Sequence, residues 1–480
     1  MLLEKNIKWV YFLSIAFIVI NAICTYFEFY YFNLLPAIIL IVLLALFALD
    51  KLILVVVFFT PLAVNFQHLE GGFGLSLPTE PLIFGIMLIF LLKQIHKLSM
   101  DIKIMTHPVT IAIIANLVWI FVTSITSQMP AVSFKFLLSR LWFVIVFYFL
   151  CTLLFKDYKN IKKFLWLYII PFTIIIFYTL YNHYLFNFEE APANWVMSPF
   201  YNDHTIYGAM LAMFLPVLIF FSFNKKYSAS IRFASIVFLV IFLVALIFSY
   251  TRAAWLSLVA ASIALVLFLF KIKFRTLMYG ATALIILLFA YRTEIVMKLE
   301  KNRQDASQDF NKHIESISNI STDASNLERL NRWSSALRMF QARPILGFGP
   351  GTYSFQYAPY QSASERTVIS TNMGDKGNSH SEYFGPLCES GLLGTLTFIM
   401  IILTILSTGF RLYYTVGDYE MKRLVLVLML GFITYIVHGC LNNFLDTDKA
   451  SVPFWGFAAM IVAIDVYHKN KEKEKQEIAA

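Results

Sequence analysis

Apolar runs of membrane-spanning length recur along almost the whole chain, and nothing else in it constrains the fold as much. A bilayer's hydrocarbon core takes roughly 20 apolar residues per helix. Such runs fall near 7–27, 33–49, 52–66, 80–95, 108–127, 134–155, 161–186, 204–223, 232–249, 253–270, 275–292, 386–410, 422–441 and 452–468. In hydrocarbon every backbone N–H and C=O needs an internal partner, which helices supply within one segment. The expected fold class is therefore an all-α polytopic transmembrane helix bundle of about 12–14 spans, carrying a small helical extracytoplasmic cap.

Composition agrees. Hydrophobic residues make up 59% and charged residues 14% of the chain, whereas soluble domains carry roughly 25% charged residues. The 48 Phe and 25 Tyr suit lipid-facing helices and interfacial belts rather than nucleic-acid stacking. Near the N-terminus, Glu4-Lys5-Asn6-Ile7-Lys8 leads into an apolar run from Trp9 to Ile23. No small-residue cleavage site follows it, so it reads as a retained first span.

Alternate connections carry the basic residues: Lys93, Lys97 and Lys103; Lys156, Lys159, Lys162 and Lys163; Lys225, Lys226 and Arg232; Lys271, Lys273 and Arg275; Arg411, Lys422 and Arg423; and the tail from Lys469. By the positive-inside rule both termini are expected in the cytoplasm. The connections between, such as Glu189-Glu190-Ala191-Pro192 and Thr126 to Pro130, are expected to face outward, as is the long segment 293–385. The net charge of +9 then reflects topology, and it argues for no nucleic-acid partner. The organisation read from this is a first bundle part at 1–292, an extracytoplasmic loop domain at 293–385, a second bundle part at 386–468 and a basic tail at 469–480.

Within the outer segment, Phe310, Ile314 and Ile317 have helical spacing, so Lys301 to Asn326 reads as a short amphipathic helix. From Glu328 to Ala342, Arg329, Trp333, Ala336 and Phe340 share one helical face, and Pro344 ends that helix. No period of 20 to 50 residues recurs. Cys24, Cys151, Cys388 and Cys440 form no metal-ligand spacing and read as small buried apolar residues. A disulfide between Cys388 and Cys440, both near the outer face, stays open.

Ionisable residues near the outer leaflet carry the functional reading. Arg252 sits in the tight connection Ser249 to Trp255, and Arg140 lies with Lys135 in the outer half of its span. An arginine at a helix centre costs about 2.5–3.5 kcal/mol on insertion scales, so each needs a partner. One candidate is ordinary lipid phosphate reached by snorkelling. The other is a phosphorylated lipid substrate, which the planar guanidinium fork suits at any relevant pH. His380 follows the loop Gly374 to Asn378 and precedes a helix. Its ordinary pKa suits proton transfer at neutral pH, and Glu382 and Glu389 are close enough in sequence to orient its ring. A surface histidine capping a helix is the plain alternative.

These residues form a pattern. Arg329 stands before Trp333, then come the turn Pro344 to Gly351, His380-Ser381-Glu382-Tyr383, and Glu389-Ser390-Gly391-Leu392-Leu393-Gly394. Upstream, Ser249 to Trp255 has the form Ser-x-x-Arg-x-x-Trp, and Phe200 to Gly208, with Asn202 and Asp203, is an Asn-bearing entry to a span containing Pro216. Together they resemble the O-antigen ligase and O-antigen polymerase family of bacterial membrane glycosyltransferases, specifically over 329–394 and more loosely over 200–460.

The resemblance implies a GT-C-like enzyme of the bacterial inner membrane. It would take a glycan from an undecaprenyl-diphosphate carrier and join it to a hydroxyl acceptor, a growing glycan or a lipid A core, without a cofactor or metal. It assigns Arg252 and Arg329 to the diphosphate and His380 to the acceptor hydroxyl or the leaving group; a single in-line displacement, with inversion at the anomeric carbon, is the step expected of such a site. Arg140, Asn202, Asp203, Glu382 and Glu389 join as substrate-binding candidates, and Arg332, outside the pattern, as a secondary one.

Fixed guanidinium groups in a low-dielectric site can stabilise a departing diphosphate as a metal would. Asp446-Thr447-Asp448 has a spacing that can hold Mg²⁺, although a solvated loop is its plainer reading. The competing classes are a transporter or flippase of lipid-linked glycan, whose pathway residues look alike, and an oligosaccharyltransferase to protein hydroxyls.

Overall fold

A computed structural model describes residues 2–69, 73–96, 101–272, 274–291, 324–365 and 377–469. The expected amphipathic helix at Lys301 to Asn326, the loop at 374–376 and the basic tail fall wholly or mainly outside these residues. The described chain is overwhelmingly helical and forms two units, Met1–Val55 and Val56–Ala480.

The first unit holds α1 (Leu2–Tyr26) and α2 (Leu35–Phe47), whose side chains are nearly all exposed, as lipid-facing helices are. Helix α3 (Leu49–Phe59) crosses into the second unit. The second unit continues with the hairpin β1 (Val64–Leu69) and β2 (Phe73–Leu77), α4 (Thr79–His96), α5 (Pro108–Ile125) and α6 (Pro130–Val144), which runs on to Leu154. Then follow α7 (Tyr158–Tyr184), α8 (His204–Phe223), α9 (Ala229–Phe248), α10 (Arg252–Leu269) and α11 (Phe274–Ala290). The cap helix α12 (Ala324–Ala342) precedes α13 (Phe384–Thr415), α14 (Tyr419–His438) and α15 (Asp448–Ala463), the last extended to His468.

Eleven helices among the described residues are long and apolar enough to cross a membrane. The expectation of a span at 52–66 is corrected: α3 has 11 residues, about 16 Å of helix against a hydrocarbon core of about 30 Å. The chain then turns into an antiparallel hairpin in which Val64 pairs with Leu77 and Asn65 with Ser76. Helices α4 and α11, which fall on the segments read as spans at 80–95 and 275–292, are not among the eleven.

Helix α8 lies at the centre of its bundle, buried on every side from Thr205 to Leu218, and α15 is buried from Asp448 through Ala463. Helices apolar all round belong in a core. Up-and-down tracing puts the connections at 126–129, 185–203, 249–251 and 439–447 and the cap at one end of the second unit. The connections at 155–157, 224–228, 270–272 and 416–418 lie at the other. The second end is where basic side chains gather: Lys162 pairs with Glu420 at 2.6 Å, Lys226 with Asp418 at 3.3 Å, and Arg411 with Asp465.

At the first end a buried ionic cluster ties the hairpin region to α15. Lys449 donates to the carbonyls of Thr60 and Ala63, and Asp448 accepts from Thr79 Oγ1 at 2.6 Å. The cap packs around a small core of its own, Ala336, Met339, Phe348, Tyr353, Tyr357 and Cys388. All four cysteines are free, so the disulfide left open between Cys388 and Cys440 is not formed.

Candidate active site

Two glycine motifs build the platform by docking on each other. The turn after α12 lies along the start of α13: Phe348 N–H donates to Cys388 O at 3.1 Å, Gly349 N–H to Glu389 O at 2.8 Å, and Leu392 N–H to Pro344 O at 3.0 Å. This approach excludes a β-carbon. At Gly347 (φ +67°) it would stand 2.3 Å from Glu389 O, and at Gly391 2.0 Å from Ile345 O. Gly391, at φ 69° and ψ −171°, breaks the helix, and Trp119 Nε1 donates to the carbonyl of Ser390 beside it at 2.8 Å. The Glu389 carboxylate receives Tyr353 N–H at 2.9 Å. The glycines therefore carry architecture.

Gly391 occupies a backbone region nearly confined to glycine, where another residue costs about 1–3 kcal/mol before any overlap. Gly391→Ala is expected to lower the unfolding temperature in detergent and to abolish activity. An unchanged unfolding temperature would contradict this docking.

On that platform α12 delivers its polar face. Arg332, 4% exposed, donates to Glu328 Oε1 at 2.8 Å and to Asn378 O at 3.1 Å, and its guanidinium lies 5.0 Å from the Tyr357 ring. It is fixed in place and braces the loop before His380. Trp333 Nε1 donates to His380 O at 3.3 Å while its ring lies 5.5 Å from that of Phe384. Asn378 Oδ1 accepts His380 N–H at 3.0 Å. These contacts hold His380 at φ +49°, a left-handed conformation rare outside glycine and frequent at functional sites.

Burial first, then the positive charges of Arg332 and Arg329, push the His380 imidazole down to about 4. It is neutral at pH 7 and so able to accept a proton. Asp203 and Glu328 oppose that shift, which places the end of α8 in the same electrostatic neighbourhood. Asp203 caps α8 through Thr205 N–H at 2.8 Å and Ile206 N–H at 3.1 Å, and Asn202 Oδ1 meets Asn65 Nδ2 of the hairpin at 3.4 Å.

Arg252, the first residue of α10, pairs with Glu190 at 3.7 Å. Its neighbour Thr251 donates to His204 O at 2.8 Å, which anchors the α10 start against the α8 start. Gly208 lets the two helices approach, since a β-carbon there would fall 2.6 Å from Thr251. The fold thus brings Arg252, Arg329 and His380 to one end of the second unit, where the charges of Arg329 and Asp203 act on His380 and the residue before Arg252 bonds to His204.

Sequence reasoning missed His438. It closes α14, is 1% exposed, meets Asn442 Nδ2 through Nε2 at 3.1 Å, and feels the charges of Arg329, Asp203 and His204. A histidine in the last turn of an apolar span is costly to place there, and that was the signal available.

Arg140, Glu382 and Glu389 belong to a second lobe, a cavity of about 140 Å³ also lined by Asn378, Ser381, Asn443 and Asp446. Glu382 is not turned to the His380 ring. Its Oε1 accepts from Tyr435 OH at 2.7 Å, Phe444 N–H at 2.7 Å and Leu445 N–H at 2.9 Å, and burial holds its carboxyl above the usual range. The carboxylates of Asp446 and Asp448 part company: Asp446 lines the cavity, while Asp448 is buried against Thr79 and Lys449.

A multi-pass membrane protein, helical but for one short hairpin, with an arginine- and histidine-bearing polar site at one end is the class that fold and site define. Residues 237–399 match the O-antigen ligase family model, which bears out the resemblance carried by the motifs. The matched segment contains Arg252, Arg329, His380, Glu382, Glu389 and the glycine turn. A comparison with curated proteins found no match.

Proposed function

We propose that the protein transfers a glycan from an undecaprenyl-diphosphate carrier to an acceptor hydroxyl at the outer face of the bacterial inner membrane, without a metal and with inversion. The observation that supports this best is the gathering of Arg252, Arg329 and a neutral His380 at the end opposite the lysine-rich connections. With both termini cytoplasmic, that end is extracytoplasmic.

In this reading Arg252 and Arg329 receive the diphosphate. The anomeric carbon–oxygen bond to phosphate breaks, its electron pair passes to the diphosphate oxygen, and the guanidinium groups offset the charge that develops. The acceptor oxygen forms the new bond from the opposite face while its proton moves to His380. Arg332 and Trp333 are positioning residues, since each acts through the backbone around His380.

Protein purified in detergent, where no gradient exists, is expected to transfer carrier-linked glycan extracted from cells lacking the gene. Arg329→Ala and Arg252→Ala should each reduce kcat/KM at least about tenfold, a loss of about 1.4 kcal/mol of transition-state stabilisation. A protein that moves the lipid between leaflets of vesicles but transfers nothing in detergent is a transporter, and the proposal fails. Gene deletion separates the enzyme types: free carrier-linked polymer accumulates without a ligase, single repeat units without a polymerase, and unglycosylated protein acceptor without an oligosaccharyltransferase.

A further inference from the structure

The Arg140 cavity differs in chemistry from the neighbourhood of His380. Arg140 lies about 15 Å along its helix from Pro130, half-buried, with the Phe136 ring at 5.3 Å. Among the described residues no carboxylate stands within ion-pair distance of it. Its charge nonetheless acts on Glu382, Glu389 and Asp446 together. An anionic ligand such as a diphosphate would meet three lining carboxyl groups, Glu382, Glu389 and Asp446, against one arginine. A neutral ligand rich in hydroxyl groups meets donors and acceptors in near balance.

Size narrows the ligand further. The cavity measures about 140 Å³, and an apolar cavity of about 150 Å³ accommodates one six-membered carbon ring. Here amide, hydroxyl and carboxyl groups share the lining with the Phe136 ring, Pro386 and Leu445, and the buried Asn443 Oδ1 has no hydrogen-bond donor among the described residues. Asn378 joins the two lobes: it lines the cavity, its carbonyl accepts from Arg332, and its side chain caps His380.

We infer that this cavity is a subsite for one pyranose ring, recognised through its hydroxyl groups by Arg140, Ser381, Asn443 and Asp446. The inference rests on the glycan-transfer reading and assigns the anion to one lobe and the carbohydrate to the other. The ring belongs either to the donor glycan next to its diphosphate or to the acceptor.

The test uses Asn443→Leu, which fills the space and removes the amide, and Asp446→Asn, which keeps the shape. The full-length protein in detergent is titrated with bare undecaprenyl diphosphate and with carrier-linked glycan extracted from cells lacking the gene. If the ring is the donor's, Asn443→Leu weakens the glycan-bearing carrier about tenfold, as the loss of one or two buried hydrogen bonds would, and leaves the bare carrier unchanged. Asp446→Asn gives a smaller shift of the same kind. If the ring is the acceptor's, donor binding holds and the acceptor KM rises about tenfold at saturating donor.

Equal weakening of bare and glycan-bearing carrier, or no change in either donor affinity or acceptor KM, overturns the subsite. Failure of the wild type to bind the bare carrier and to transfer anything would instead remove the glycan-transfer reading.

Discussion

Replacing His380 with alanine is expected to cut the transfer rate by about 10²–10⁴-fold, the range for loss of a positioned general base, while leaving the affinity for bare carrier within about twofold of wild type, because a neutral ring adds little to anion binding. The pH profile gives the sharper signature. In the free protein the imidazole titrates near 4 because it is buried and faces Arg332 and Arg329. The acid limb of kcat/KM, which reports the free enzyme, should therefore fall near pH 4 rather than near the ordinary histidine value.

A bound diphosphate brings negative charge among those arginines and favours the imidazolium, so the acid limb of kcat should lie at higher pH. Arg332→Gln removes one of the charges that depress the ring and should move the kcat/KM limb upward too. Identical acid limbs in kcat and kcat/KM, both near the ordinary value, would remove His380 from this electrostatic setting. The same lowered pKa affects folding: between the unfolded value and about 4 the unfolded chain binds more protons, so stability declines as the pH falls through that window.

The second large effect concerns Glu382. Its one oxygen collects the Tyr435 hydroxyl and the amides of Phe444 and Leu445, all buried, and its backbone N–H donates to Gly439 O at 2.8 Å. Alanine there orphans three donors at about 1–3 kcal/mol each, so Glu382→Ala should lower the unfolding temperature more than any other single change at this site. Glu382→Gln keeps a carbonyl oxygen in the same place and should recover most of the loss.

Burial raises the Glu382 carboxyl above the usual range, so the folded chain holds that proton more tightly than the unfolded chain. Raising the pH through the folded value should cost stability in the wild type, and the glutamine variant should be free of that dependence. Equal unfolding temperatures for wild type and Glu382→Ala would show that the carboxyl does not hold the 439–445 segment.

The sequence was most legible where a local rule has one outcome. Apolar runs and prolines located the long helices, and α12 ends at Ala342 just before Pro344. Arg329 and Trp333 share a helical face, and the structure puts both beside His380. Length defeated the reading at 52–66: the apolar run was real, but α3 stops at Phe59, and the alternation from Val64 to Leu77 was a hairpin signal that the hydropathy of the run concealed.

Roles were less legible than positions. Glu382 and His380 are neighbours in sequence, yet their backbones diverge at the left-handed residue, and the carboxyl turns to α14. The sequence offers Arg332 as a secondary substrate-binding candidate, but its guanidinium is taken up by Glu328, Asn378 and the Tyr357 ring. Arg140 had been grouped with the phosphate-binding arginines, and only packing sets it among carboxylates. The charge of Asp203 acts on His438 across the fold, a proximity that no spacing encodes.

Equilibrium binding of undecaprenyl diphosphate to the purified protein bears most directly on whether Arg252 and Arg329 form a diphosphate site. The wild type should bind it, more weakly as salt rises, and the Arg252→Ala, Arg329→Ala double variant should lose at least about a hundredfold in affinity, about 2.7 kcal/mol, with its unfolding temperature unchanged. Equal affinity of the wild type and a stably folded double variant for that ligand would contradict the account.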